Sequence, residues 1–296
     1  MPHVHRCSAE QSFATVVDFL LHVTGDEDGV WRRLRAGEVL RGDGTRVGER
    51  TPYRAGASVY LYRDLPVEAE VPGALTVLLH DEATGLLAVD KPPFLATMPR
   101  GRHVAQTAVV RLRRELDLPE LSPMHRLDRL TSGVLLMTTR REVRGAYQRM
   151  VQAGGLAKTY LALAPLPDDL DLPVLVRNRM VKQRGELQCA VVPGQVNAQT
   201  LVELDEVLGA GADGRPVGRY RLTPTTGRTH QLRVHLAGLG VPVLGDPLYP
   251  RVRDVAPDDF STPLQLLAAG VSFTDPVSGV GRHVASRRAL PLTPSG

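Results

Sequence analysis

PMHRLDRLTSGVLLMTT, residues 123–139, sets four ionisable side chains, His125, Arg126, Asp128 and Arg129, within five positions of one another. Gly133 and a run of Val, Leu and Met follow at once, the composition of a buried strand. A carboxylate among arginines at the mouth of a core strand has two readings. It can close a loop salt bridge, or it can be an ionised group held ready as a nucleophile, because nearby positive charge favours the charged form. HRLD also invites comparison with the kinase catalytic loop. No Asn follows at the required place, and no glycine-rich loop, VAIK or DFG-like segment accompanies it, so that comparison fails.

Outward from this stretch, short strands linked by turns predict the fold. LTVLLHD and GLLAVDK flank turn residues 83–85 as a hairpin. HVAQTAVVRLRREL and REVRGAYQRMVQAG carry apolar residues at helical spacing, the second ending at Gly. AKTYLALAPL, MVKQRGELQCAVV, NAQTLVELDEVL, GRYRLTPTT and LQLLAAGVSF read as further strands. The expected class is α+β, a mixed, largely antiparallel sheet with helices packed on it. Residues 1–70 read as a separate small α/β unit: a helix over 13–21, a Gly/Asp-rich loop, the turn Gly42-Asp43-Gly44 and the β-rich ASVYLY. RDLPVEAEVPG reads as the linker, and 71–296 as a second, larger domain.

Composition excludes more than it selects. Hydrophobic content of 43% and charged content of 23% describe an ordinary globular chain. No apolar run approaches the ~20 residues that cross a bilayer, and MPHVHRCSAEQ lacks the apolar core of a secretory signal. Cys7 and Cys189 stand far apart with no CxxC, which fits a reducing cytoplasm and argues against a zinc site. Net charge is only +4, but arginine outnumbers lysine, and arginine suits phosphates and bases. RRLR (32–35) and RLRR (111–114) are basic stretches that either meet a nucleic-acid backbone or form solvated faces.

Two more segments bear chemistry. In TPTTGRTHQLRVHLAGLG (223–240), Thr229 is the expected cap of a short helix ending near Gly238 or Gly240. Leu232, Leu236 and Leu239 give its apolar face. His230 and Arg233 share another face, and Arg228 stands at the start, so an arginine projects from a rigid turn toward a carboxylate or phosphate. His230 and His235 diverge on the helix and have no acidic or Cys companion, so a metal is not expected. In LAKTYLAL, alternation puts Lys158 and Tyr160 on one face of a strand, where the Tyr can stack on a base or cap a core.

HRLDRLTSGVLL, AKTYLAL and GRTHQLRVHLAGLGVPVLGDPLY, in that order, resemble the signature of the RluA-type pseudouridine synthases. LLAVDKPPFLATMPRG, with Lys91-Pro92, and LQLLAAGVSFTDPVSG extend the resemblance over roughly residues 74–290. KPPFLATMP departs from the family's usual Lys-Pro, small residue, Gly, which bears on the substrate-side loop. The resemblance implies isomerisation of uridines in structured rRNA or tRNA with no cofactor and no metal, by a monomer. Asp128 is implied as the catalytic group, Arg233 as its partner, Tyr160 as the stacking aromatic and Arg126 as the residue that helps turn out the base. His125, Lys158, Arg228, His230 and Gln231 are expected to contact substrate or shape the site. The rival reading is a non-catalytic RNA-binding protein on the same fold.

Overall fold

The computed structural model describes residues 2–7, 11–62, 68–101, 103–211 and 214–291. Two compact units divide the chain, 1–67 and 68–296.

The first unit contains β1 (Pro2–Arg6), α1 (Val16–Thr24), α2 (Glu27–Ala36), β2 (Val39–Arg41) and β3 (Ser58–Tyr62), with sheet order β1-β3-β2. α1 opens on a capping box: Thr15 accepts from the Asp18 N–H while the Asp18 carboxylate accepts from the Thr15 N–H. α2 lies where a Gly/Asp-rich loop was expected. Asp26 caps it by accepting from the Gly29 N–H, and Glu27 and Asp28 fill its first turn. The acidic cluster that resembles a loop is thus a helix start, where negative charge suits the dipole. Gly42-Asp43-Gly44 does turn the chain, but β2 takes β3 as its ladder partner.

The second unit runs β4 (Thr76–Asp81), β5 (Leu86–Lys91), α3 (Ala108–Glu115), β6 (Ser122–Pro123), β7 (Ser132–Thr138), α4 (Arg141–Gln152), β8 (Ala157–Pro165), β9 (Val174–Val181), β10 (Ala190–Val192), β11 (Ala198–Ala210), β12 (Pro216–Pro224), α5 (Gln231–Gly238), β13 (Leu266–Thr274) and β14 (Gly281–Ala285). Its sheet is ordered β10-β9-β11-β12-β8-β13-β7-β5-β4, with β14 on β13 and β6 on β7. All pairings are antiparallel except β13 with β7, so the class is the expected α+β. MVKQRGELQCAVV is two strands, β9 and β10, because Lys182–Cys189 folds back between them.

Residues 63–67 of the expected linker lie outside the described residues. Its remainder is not a linker. Glu68 accepts the Val104, Ala105 and Gln106 N–H groups, and Val71 is buried in the main core.

β5 and β7 are buried along their whole length. Their side chains alternate between two cores. Leu87, Val89, Leu135 and Met137 join α3 and α5 on one side, while Leu86, Ala88, Val134 and Leu136 join α4 on the other. Layers on both faces explain why GVLLMT is continuously apolar. At the crossing with β13, Gly133 has φ 104°, and a Cβ there would stand 2.2 Å from the Ala268 carbonyl oxygen. That close approach requires glycine and sets where the preceding loop, with Asp128, leaves the sheet.

Candidate active site

Bonds on either side fix the Asp128 loop. Thr97 Oγ1 donates to the Leu127 carbonyl at 2.8 Å and accepts the Leu127 N–H at 3.2 Å. Lys91 Nζ, fully buried at the end of β5, donates to the carbonyls of Pro92, Leu95 and Arg129 at 2.9, 2.7 and 3.2 Å. Burial holds the Lys91 ammonium well below its ordinary pKa, against the attraction of Asp128. The Thr131 N–H closes the turn on the Asp128 carbonyl. The Asp128 carboxylate accepts no hydrogen bond among the described residues. It is 26% exposed and meets Arg233 Nη1 at 3.9 Å from Oδ2.

Arg233 projects from α5. His230, not Thr229, is the helix's N-cap, in the left-handed region with φ 57° and with no side-chain cap bond. Tertiary bonds do the work expected of the cap. Gln231 Oε1 accepts from the Arg228 N–H and Thr226 Oγ1, and its Nε2 donates to the Gln199 carbonyl and Thr200 Oγ1. His235 bridges Thr200 Oγ1 and Asn178 Oδ1. Leu232, Leu236 and Leu239 face the core as expected.

The main partner of Arg233 is Asp246, a residue to which the sequence reading gave no role. Arg233 Nε donates to Asp246 Oδ2 at 2.7 Å and Nη2 to Oδ1 at 2.5 Å. Burial opposes the guanidinium charge, but these bonds outweigh it and raise its pKa. The Tyr249 ring lies 5.3 Å from Arg233 Cζ. Tyr249 Oη accepts the Cys189 N–H and meets His230 Nδ1 at 3.0 Å. The sequence signal for this group was only the Gly-Asp of GDPLY.

Tyr160 and Lys158 line the same cleft from β8. Burial, assisted by the Asp128 charge, raises the Tyr160 phenol pKa, and its hydroxyl has no hydrogen bond among the described residues. Burial lowers Lys158, whose Nζ is 3.4 Å from the Thr226 carbonyl. His125 lines the cleft but also accepts the Leu136 N–H on Nε2 at 3.1 Å. Burial, then the Lys158 charge, push it down to about 4. Burial likewise lowers His230, partly opposed by Asp128. Arg126 is exposed at the rim with no hydrogen bond or ion pair from its side chain among the described residues. Arg228 Nε donates to the Asn197 carbonyl.

Two arginines of the 111–114 stretch, read as either RNA contacts or a solvated face, brace the fold. Arg111 donates to the Val71 carbonyl and Arg113 to that of Leu121. In the first unit Arg33 is buried, while Arg32 and Arg35 are exposed.

The cleft has a volume of about 1160 Å³, beyond the roughly 300–1,000 Å³ of ordinary small-ligand pockets. Arg100, Arg126, Lys158, Lys182, Arg228 and Arg233 line it, and Asp128 is the single carboxylate among its described lining residues. Six cations around one carboxylate make a field that favours polyanions.

The chain is similar to several known proteins. The RNA pseudouridylate synthase family matches residues 85–238, just over half of the chain. An uncharacterized RNA pseudouridine synthase of Synechocystis is 32% identical over 231 residues, covering 75% of each chain. The dual-specificity RNA pseudouridine synthase RluA of Escherichia coli K12 is 31% identical over 69% of this chain and 89% of its own. The solved structure of human RNA pseudouridylate synthase domain containing 1 superposes with a TM-score of 0.59 at 25% identity, over 73% of this chain and 86% of that one.

Fold, cleft and relatives together define an enzyme that modifies RNA. Within that class the chain belongs to the RluA-type RNA pseudouridine synthases, which are isomerases. No helix of the described residues is long and apolar enough to cross a membrane.

Proposed function

We propose that the chain isomerises uridines in structured ribosomal or transfer RNA, with Asp128 as the catalytic group. The observation that carries this reading is the lone, hydrogen-bond-free carboxylate in a cleft otherwise lined by six cations. In the isomerisation the N1–C1′ bond breaks, the uracil turns, C5–C1′ forms, and the proton on C5 is lost as N1 gains one. Atoms and electrons balance with no cofactor or metal.

Extruding a uridine costs a few kcal/mol. Stacking on Tyr160 returns roughly 1–3 kcal/mol, and Arg126, unengaged at the rim, fills the place the base leaves. Arg233 aims Asp128. Lys158 and Arg228 face the phosphates, while His125, His230 and Gln231 shape the walls. The small N-terminal unit adds RNA contacts through exposed arginines such as Arg32 and Arg35. A monomer working in the cytoplasm suits two buried, unpaired cysteines.

The test uses unmodified ribosomal and transfer RNA transcripts labelled with tritium at uridine C5, with no cofactor added. The parent protein is expected to release tritium and form pseudouridine. Asp128→Asn is expected to do neither while binding the same RNA within threefold. RNA binding without pseudouridine from the parent would favour the non-catalytic rival, and full activity of Asp128→Asn would remove the proposed role.

A further inference from the structure

We propose that Gln148 and Gln152 of α4 read base edges of the nucleotides beside the target uridine, so that α4 sets sequence preference; the proposal rests on the reading of the cleft as an RNA site above. Both amides line the cleft, both are exposed, and neither has a hydrogen bond among the described residues. Four residues apart on a helix, they stand side by side with Cβ atoms about 5–6 Å from each other.

The cleft is divided by charge. Its six cations come from loops, from β8 and from α5, and none from α4. The α4 wall is made instead of the two amides with Val151, Gly154 and Leu156. It is also the C-terminal half of a helix, whose dipole disfavours a phosphate. Cations position an RNA backbone but carry no sequence information, whereas each amide offers one acceptor and two donors to a base edge. A strand whose phosphates follow the cationic walls presents its bases to the uncharged one. Gly154 leaves room for them, since a Cβ there would meet nothing within 4 Å. Unpaired loop nucleotides suit this wall, because their edges are free to be read.

α4 is held firmly enough to discriminate. Tyr147, beside Gln148, has no exposure, and its hydroxyl donates to Asp275 Oδ2 at 2.8 Å. Met150 and Val151 pack on the core beneath. Arg144, one turn before Gln148, donates to the Glu120 carbonyl. After Gln152 the Gly155 N–H closes on the Met150 carbonyl, so tightly that a Gly155 Cβ would stand 2.9 Å from that oxygen. Amides carried on such a base keep their direction when a wrong nucleotide is offered.

The test uses the tritiated ribosomal and transfer RNA transcripts with the neighbours of loop uridines replaced one at a time. The parent is expected to favour one base over another by about tenfold in kcat/KM at one or more of these positions. Gln148→Met/Gln152→Met keeps the length of both side chains and removes both amides. It is expected to bring those preferences within threefold, losing about tenfold on favoured transcripts and little on the others. Gln148→Ala/Gln152→Ala, built with the best helix former, is expected to behave alike and serves if the Met pair does not fold. A parent with no preference, a preference that survives in the double variants, or an equal loss on every transcript, the mark of a backbone contact, would overturn the proposal. Binding of the same transcripts, read beside turnover, separates the two readings. If the parent forms pseudouridine with preferences that the Gln variants keep, only the role of α4 is lost. If it forms none but binds with base preferences that the Gln variants lose, only the catalytic reading is lost.

Discussion

Lys91 Nζ reaches the carbonyl of Arg129, one residue beyond Asp128, at 3.2 Å from the far end of a buried strand. The same ammonium holds the Pro92 and Leu95 carbonyls, so one cation ties two loops together beneath the cleft. Lys91→Met fills the space but leaves three inward carbonyls without a donor, each worth about 1–3 kcal/mol when unsatisfied. Relief of the buried charge offsets part of this, so a net loss of about 2–4 kcal/mol in urea unfolding is expected, with faster amide exchange at 127–131. Unchanged stability and exchange would refute the clamp.

Arg233→Leu is expected to abolish turnover and to destabilise the fold, because Asp246 is left buried and unpaired; breaking such pairs costs about 3–5 kcal/mol. Replacing both Arg233 and Asp246 by leucine is expected to recover much of the stability and none of the activity. Urea titrations beside tritium release separate the two effects. Stability that stays low in the double variant would mean that the pair does more than neutralise itself.

Much of this was legible from the chain. The apolar run after Asp128 reads as a strand because both its faces are covered, and Lys158 and Tyr160 share a face through simple alternation. The Asp246 contact was not legible, since a Gly-Asp pair in a turn looks the same whether its carboxylate meets water or a guanidinium thirteen residues back. The start of α5 was misread for a related reason. Thr229 has the chemistry of a cap, but Gln231 and His235 hold the helix through strand residues distant in sequence. α2 was hidden by Gly25 and Gly29 within an acidic cluster, where composition resembles a loop and only the cap bond from Gly29 to Asp26 reveals a helix.

Tyr160 presents a ring to the cleft and a hydroxyl with no partner among the described residues. Tyr160→Phe is therefore expected to keep turnover within about threefold. Tyr160→Ala removes the stacking surface and is expected to weaken the reacting complex by about 1–3 kcal/mol, roughly 5- to 150-fold in kcat/KM. A Phe variant as impaired as the Ala variant would transfer the role from the ring to the hydroxyl.

Acid should weaken the fold through two histidines held neutral. His125 Nε2 accepts the Leu136 N–H, and His235 lies between Thr200 and Asn178 with 1% exposure. Burial pushes each from 6.5 down to about 4. Between those values the unfolded chain binds protons that the folded chain does not, so stability falls as pH drops from 6.5 toward 4 and these two add no further loss below it. Each contributes on the order of 2–3 kcal/mol over that window. Urea unfolding at pH 7.5, 6 and 5 is expected to trace the decline, and His125→Gln, which restores an acceptor for Leu136, is expected to flatten it by about half. A stability that stays level from pH 7.5 to 5 would mean that neither ring is kept from protonating by the fold.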